Sequence, residues 1–441
     1  MHNATSRRSF LQAAGATAAT FTILKAGSAR TYAANETLNI ASIGAGGQAA
    51  GDIQNVASQN IVALCDVDQD RAAGMFNKFP KARQFKDYRV MLEEMSSQID
   101  AVIVGTPDHH HFHASMAAIR HGKHVYCEKP MIHDVTEGPA IIEAQNKNKV
   151  VFQVGSQGMS SLGNEKAKQL LKDGAIGQLN YAEGFWARMS PVGAWQYPIP
   201  ADASPETVDW DRYVANTIKR PFDKTRFFRW RNYRDYGTGV SGDLFVHLFS
   251  SLHFVTGSMG PNKIMATGGL RYWKDGREVP DIMLGMFDYP ETKIHPAFNL
   301  SLRVNFVDGT GGTNYLRMVG SEGSMTVEWD KVTVYKNKKV VDENDPLNKT
   351  KKADSSNIYT YDRKSILPPE EIIYTAEEGY KGAHFDHHYN WINAIRTNGT
   401  VAENALFGYR AAAPALLCND SYFQNKIMKW DPENLQIIND K

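Results

Sequence analysis

Cysteine is scarce, with only Cys65, Cys127 and Cys418 in 441 residues. Three thiols cannot build the paired framework of a disulfide-stapled domain. Cys65 and Cys127 fall at the ends of expected buried strands, where cysteine acts as a small apolar filler. Charge of one sign is not in surplus either: 49 Lys and Arg against 48 Asp and Glu leave a formal net charge of +1. There is no dense Lys/Arg stripe, and KNKK at 336–339 is short enough to be a solvated turn, so no nucleic-acid partner is expected. No apolar run reaches the roughly 20 residues that a bilayer-spanning helix needs, and no internal repeat is present. The remainder, 42% hydrophobic and 22% charged, has the balance of a soluble globular protein. Its length is enough for two cores.

The first 34 residues have a different character. Ser6-Arg7-Arg8-Ser9-Phe10-Leu11 is a twin-arginine pattern, followed by an Ala-rich apolar run from Ala13 to Leu24. About 12 residues are too few to anchor in a bilayer and suit the apolar region of a signal. Small residues near Ala29 and Ala33 offer cleavage points, so export to the periplasm is expected, with a mature chain that has no membrane anchor.

From Thr37 onward short apolar runs alternate with helical patterns. Expected strands lie at 38–43, 61–66, 101–104, 124–127 and 150–154, separated by helices at 68–79, 88–95, 111–121 and 135–148. Fully apolar strands alternating with helices predict a parallel sheet covered on both faces, the doubly wound arrangement. After about residue 160 the rhythm changes. A helix at 164–173 and a strand at 178–187 precede an aromatic, Pro-rich stretch and an apolar helix at 241–256. Extended segments dominate 262–340, including Ala297–Val307 and Tyr315–Val319, and helices close the chain at 384–397 and 403–425. The expected fold is therefore α/β, a Rossmann domain at 35–158 followed by an α+β domain at 159–441 on a largely antiparallel open sheet.

Gly44-Ala45-Gly46-Gly47-Gln48-Ala49 is G-x-G-x-x-A between the first strand and a helix. Gly44 permits the tight turn, Gly46 the approach of a pyrophosphate, and Ala49 close helix–strand packing. The helix N-terminus, opened by Gly47 and Gln48, offers free amides to phosphate. Asp66, at the end of the second strand, can accept both ribose hydroxyls of NAD and would repel the 2′-phosphate of NADP. Asp68 reads as the N-cap of the next helix. NAD is the expected cofactor, with NADP the less favoured one.

Thr106-Pro107-Asp108-His109-His110-His111 follows the third strand at the carboxyl edge of the sheet, and Glu128-Lys129-Pro130 follows the fourth. In the second half, Asp243 and His247 stand four apart on a helix. Together with the glycine turn, these segments resemble the glucose-fructose oxidoreductase and inositol dehydrogenase (Gfo/Idh/MocA) family. The family carries TPxxxH, then EKP, then D-x-x-x-H. The resemblance implies a cis Lys129–Pro130 bond and a catalytic set of Lys129, Asp243 and His247. It places Thr106, Pro107, His111, Glu128 and Lys129 beside the cofactor. In that role the Lys129 ammonium stabilises a developing alkoxide, His247 removes the hydroxyl proton, and Asp243 orients His247. The plainer alternative is a buried, mutually satisfied Asp–His pair on a core helix.

Trp186, Trp195, Trp210, Phe227, Phe228, Trp230, Arg231, Tyr233 and Tyr236 crowd the stretch before Asp243. Aromatic faces stack on sugars and Arg or Tyr bind their hydroxyls. Core packing accounts for most of them, which leaves Arg231 and Tyr236 as substrate candidates. Histidines 109–111 and 113 invite a metal reading. Three consecutive residues cannot all face one ion, however, and no Cys or carboxylate cluster completes a site, so no metal is expected. The resemblance implies hydride transfer between a sugar or polyol and NAD. Folded export adds that the cofactor is held tightly and recycled in place. Two rivals are an NAD-dependent glycosidase or lyase acting by transient sugar oxidation, and a non-catalytic sugar or nucleotide sensor. The resemblance also makes a homo-oligomer through the second domain's sheet plausible.

Overall fold

The computed structural model describes residues 3–4, 37–310, 314–337 and 369–438. Apart from Asn3–Ala4, the twin-arginine pattern and the apolar run after it lie outside the described residues.

Six short strands form a wholly parallel sheet: β1 Asn39–Ile43, β2 Asn60–Cys65, β3 Arg83–Phe85, β4 Ala101–Val104, β5 His124–Glu128 and β6 Phe152–Gly155. Their order is β3-β2-β1-β4-β5-β6, the doubly wound order that opens a crevice at the carboxyl ends of β1 and β4. Ala101, Val102, Ile103 and Val104 are all fully buried, as a central strand covered on both faces must be. Each such Val or Ile contributes about 1.5–3 kcal/mol relative to exposure. The covering helices on this half are α1 Gln48–Asn55, α2 Gln69–Lys78, α3 Tyr88–Glu94, α4 His111–Arg120 and α5 Gly138–Asn148. Asp68 caps α2 by accepting from the Arg71 amide at 2.9 Å. The sheet has one strand more than the five expected. Edge strand β3 is three largely polar residues, too short and too exposed to leave an apolar signature.

Helix α6 Leu162–Lys172 leads into β7 Leu179–Ala187, and α7 Trp210–Tyr213 and α8 Lys224–Phe228 lie in the stretch before α9 Val246–Thr256. The remaining strands are β8 Lys263–Gly269, β9 Ile282–Tyr289, β10 Phe298–Asn305, β11 Asn314–Gly320, β12 Gly323–Val327, β13 Lys331–Lys336, β14 Glu370–Thr375, β15 Met428–Asp431 and β16 Gln436–Ile438. With Asn3–Ala4 beside β14 they make an eleven-stranded sheet, ordered Asn3–Ala4, β14-β13-β12-β11-β7-β10-β9-β8-β15-β16. Its pairings are antiparallel except β7 with β10 and Asn3–Ala4 with β14. Burial alternates along β9 and β10. One face packs on α9 and on α11 Ala405–Gln424, and the other leaves Met265, Leu284 and Met286 exposed. Lys336 closes β13, and 338–339 of the basic run lie outside the described residues.

Late in the chain, α10 Ala383–Thr397 returns to the first sheet. Trp391, Ile392, Ala394 and Ile395 share one apolar cluster with Leu38, Ile40, Ile53, Ile103 and Tyr126. Nearby, Glu403 is fully buried and its Oε1 accepts from the Ser250 hydroxyl at 3.0 Å. Burial pushes its acid up to about 8. A carboxyl held above its unfolded value favours the protonated fold, so its contribution is lost as pH rises from the unfolded value through about 8. Glu403→Gln is therefore expected to raise the melting temperature progressively relative to the parent between about pH 5 and about pH 9. A gap independent of pH would contradict this.

Candidate active site

The glycine turn is fixed by close backbone approach. Gly44 has φ of 92°, and a Cβ there would stand 2.7 Å from the Gly105 carbonyl oxygen. A Cβ on Gly105 would in turn meet that of Ala49 at 2.7 Å, so β1, α1 and the end of β4 tolerate only small residues. Gly47 caps α1 without a side-chain hydrogen bond, which leaves the first amides of the helix open. Gly44, Gly46, Gly47, Gln48, Asp66, Thr106, Pro107, His111, Glu128 and Lys129 line one continuous cleft, and Ala49 packs behind it.

Asp66 takes the Ala45 amide at 2.8 Å on one carboxylate oxygen and the Asp68 amide at 3.0 Å on the other. It is thereby anchored to the turn that it follows. Burial raises its acid, and these two amides work against the rise. Arg71, which no sequence signal singled out, lies over Gly46 and Gly47. Among the described residues the Thr106 hydroxyl is buried and has no partner. An unpaired hydroxyl, uncapped amides and a carboxylate beside a glycine cradle together fit a dinucleotide.

His111 bridges the cleft's floor, with one ring nitrogen 2.7 Å from the Pro130 carbonyl and the other 2.8 Å from the Thr106 carbonyl. It thus ties the TPxxxH loop to the Lys129–Pro130 peptide, which is cis. His109 and His110 both approach the Tyr213 carbonyl, at 2.9 and 2.8 Å, and fasten the aromatic stretch to the Rossmann edge. Among the described residues no group of three or more His, Cys, Asp or Glu side chains is arranged to hold a metal.

Lys129 crosses to the second domain. Its ammonium donates to the Asp243 carboxylate at 3.0 Å and to the Asp243 main-chain carbonyl at 2.8 Å, with both side chains largely buried. Arg231 donates to the same carboxylate oxygen at 3.2 Å. Burial alone would raise the acid of Asp243, but the Lys129 and Arg231 charges hold it well below the usual carboxylate range. Asp243 thus holds Lys129 directly; among the described residues it makes no hydrogen bond to His247 and acts on it through its charge, which favours the protonated imidazole. Residues 241–245 form a π-turn ahead of α9. The Asp243 carbonyl in this turn accepts from Lys129, as the carboxylate does.

His247 instead stacks on Trp186, with ring centroids 5.2 Å apart and planes at 24°. The Trp329 ring stands 6.5 Å from that of His247, and the His384 ring 5.6 Å from that of Trp329. Burial, then the Lys129 charge, holds the imidazole well below its ordinary value and hence neutral. Neither Trp329 nor His384 could be found from sequence, since both reach the site from elements far along the chain.

Of the two substrate candidates, Arg231 lines the cleft beside Asp243. Tyr236 does not. It is fully buried among Val208, Trp210, Tyr213 and Phe227, and its ring serves packing. Trp210, Phe227, Phe228 and Tyr233 belong to the same cluster, and Trp195 packs edge-on against Phe306.

Comparison with known proteins agrees with this architecture. Residues 38–156 match the family model described as Oxidoreductase family, NAD-binding Rossmann fold, and residues 208–429 match its C-terminal alpha/beta domain. Inositol 2-dehydrogenase of Salmonella typhimurium is 28% identical over 145 residues, covering 32% of this chain and 43% of that protein. Levoglucosan dehydrogenase of Pseudarthrobacter phenanthrenivorans is 22% identical over 205 residues, 46% of this chain and 45% of the relative. The matched stretches thus span less than half of these curated relatives. Among solved structures, a levoglucosan dehydrogenase in complex with NADH superposes with a TM-score of 0.63 at 17% identity, covering 89% of this chain and 98% of that one. An oxidoreductase from Agrobacterium radiobacter in complex with NAD+, L-tartaric acid and magnesium gives 0.63 at 13% identity, covering 89% and 98%.

Proposed function

The chain belongs to the Gfo/Idh/MocA oxidoreductase family, and from that membership we propose that it moves hydride between a carbinol carbon of a sugar or polyol and NAD. The observation that carries the reading is the Lys129–Asp243 pair joining the two domains at the end of the glycine-turn cleft, with a neutral His247 alongside.

When bound, the nicotinamide supplies the hydride acceptor. Gly44 to Gln48 and Asp66 would hold the dinucleotide. Lys129, fixed by two bonds to Asp243, stabilises the oxygen of the reacting hydroxyl as charge develops on it. His247, desolvated and neutral, accepts the hydroxyl proton. Asp243 acts through Lys129 and touches no reacting atom. Similarity to inositol and levoglucosan dehydrogenases supports a sugar-like substrate. The redox glycosidase and the sensor are rival readings that the same assay separates. Purified protein is expected to show reduced-nicotinamide absorbance on adding a substrate sugar, rising to one equivalent without added cofactor. A flat trace with every sugar and polyol, in protein shown to contain cofactor, would remove the dehydrogenase reading.

The acid limb of kcat/KM is expected below the ordinary imidazole value of 6.5. A base whose pKa is depressed stays unprotonated, and so active, as pH falls through 6.5. A limb at or above that value, absent from His247→Gln, would contradict the depressed imidazole.

Export and a retained cofactor belong to the same proposal and rest on Arg7, Arg8 and the apolar run. Cell fractionation that leaves the protein in the cytoplasm would remove them. Self-association through the open sheet face rests on the exposed Met265, Leu284 and Met286. Sedimentation as a monomer would remove it.

A further inference from the structure

Beside the reacting groups stands a cation that the chemistry above does not use. Arg188 follows directly on β7, and its guanidinium lies 5.9 Å from the Trp186 ring that stacks on His247. Among the described residues no carboxylate stands within ion-pair distance of Arg188, and its Nε is buried without a hydrogen-bond partner. The Trp186 indole Nε1 is likewise buried and unpartnered. Two adjacent donors left unsatisfied at one place are uncommon in a folded interior, where buried polar groups are nearly all paired. Lys129 and Arg231 both meet the Asp243 carboxylate, whereas Arg188 has no such partner among the described residues.

We infer that Arg188, with the Trp186 indole, binds a carboxylate on the substrate, so that the sugar turned over is a sugar acid such as a uronate or an aldonate. This deepens the dehydrogenase reading and rests on it. A guanidinium presents a planar fork of donors that matches a carboxylate in two parallel hydrogen bonds, which a neutral hydroxyl cannot reproduce. With the carboxylate seated there, the sugar ring would lie across Trp186 toward His247 and Lys129, which brings one of its hydroxyl carbons to the reacting groups. The substrate would then supply the ion-pair partner that Arg188 otherwise lacks.

The test uses the full-length, cofactor-containing protein with D-glucuronate, D-galacturonate and D-gluconate against D-glucose, D-galactose and D-glucitol at fixed ionic strength. Two readouts are taken, cofactor reduction and quenching of tryptophan fluorescence as a measure of binding. The acids are expected to bind and react in preference to their neutral partners. Arg188→Ala should weaken acid binding by roughly 30-fold or more, the usual effect of removing one partner of a desolvated charge pair. Arg188→Lys should restore only part of this, since an ammonium lacks the fork. Reduction by neutral sugars that Arg188→Ala leaves unchanged would overturn this inference while the dehydrogenase reading stands. Acid binding lost in Arg188→Ala, but with no cofactor reduction in the parent, would support the carboxylate site and count against the dehydrogenase reading. Absence of acid binding in the parent overturns the inference outright.

Discussion

Lys129→Met is expected to lower kcat by about 10²–10⁴-fold, equivalent to roughly 2.7–5.4 kcal/mol of transition-state stabilisation, with NAD still bound. Methionine keeps the length and most of the volume of lysine, so the loss falls on the charge. The Asp243 carboxylate would retain Arg231 at 3.2 Å, which keeps the buried acid paired and favours a folded variant. Loss of cofactor together with activity would show instead that Lys129 serves the nucleotide. The double variant Lys129→Met, Asp243→Asn should be little worse than Lys129→Met, because Asp243 acts through the ammonium and groups working as a unit are not additive. Additive losses would assign Asp243 an independent part in the chemistry.

Gly44→Val is expected to abolish cofactor retention. The native φ of 92° is open to glycine and strained for any residue with a Cβ. The added Cβ would meet the Gly105 carbonyl oxygen at 2.7 Å and its carbon at 2.9 Å, and both are backbone atoms that cannot rotate aside. Left-handed strain of about 1–2 kcal/mol and the clash together should exceed roughly 3 kcal/mol, more than 100-fold in affinity if they act on binding. Dialysed protein is then expected to contain no nicotinamide, either with a native melt or with a lowered one. Gly51→Ala on the same helix is the matched control, since nothing lies within 4 Å of the new Cβ. It should leave cofactor content unchanged. A Gly44→Val protein that keeps its cofactor would show that the turn does not approach the ligand.

What could be read from the residues alone was local. Gly44, Ala49 and Asp66 act within one βαβ unit, so their spacing encodes their geometry, and the TPxxxH and EKP segments sit at strand ends that hydrophobic runs make visible. The pairing of Asp243 was not visible in this way. Its partner Lys129 lies 114 positions away in the chain, and no local pattern at 241–245 encodes that contact. Arg231 and Tyr236 looked alike as polar residues in an aromatic stretch. Tertiary packing separated them, turning one toward Asp243 and the other into the cluster around Trp210. Arg188 comes from just beyond the end of β7, Trp329 from a hairpin and His384 from α10, and only the folded chain brings them to His247.

The return of α10 to the first sheet bears on how this protein could be recombined. Residues 37–158 form a continuous segment, but the surface they present is unfinished without Trp391, Ile392 and Ile395, and Asp52 of α1 sits 3.3 Å from His388, both fully buried. A chimera that moves only the amino-terminal segment into a relative would place a foreign helix against that surface and strand a buried carboxylate. The exchangeable unit is discontinuous in the gene, and α10 has to travel with the nucleotide-binding half.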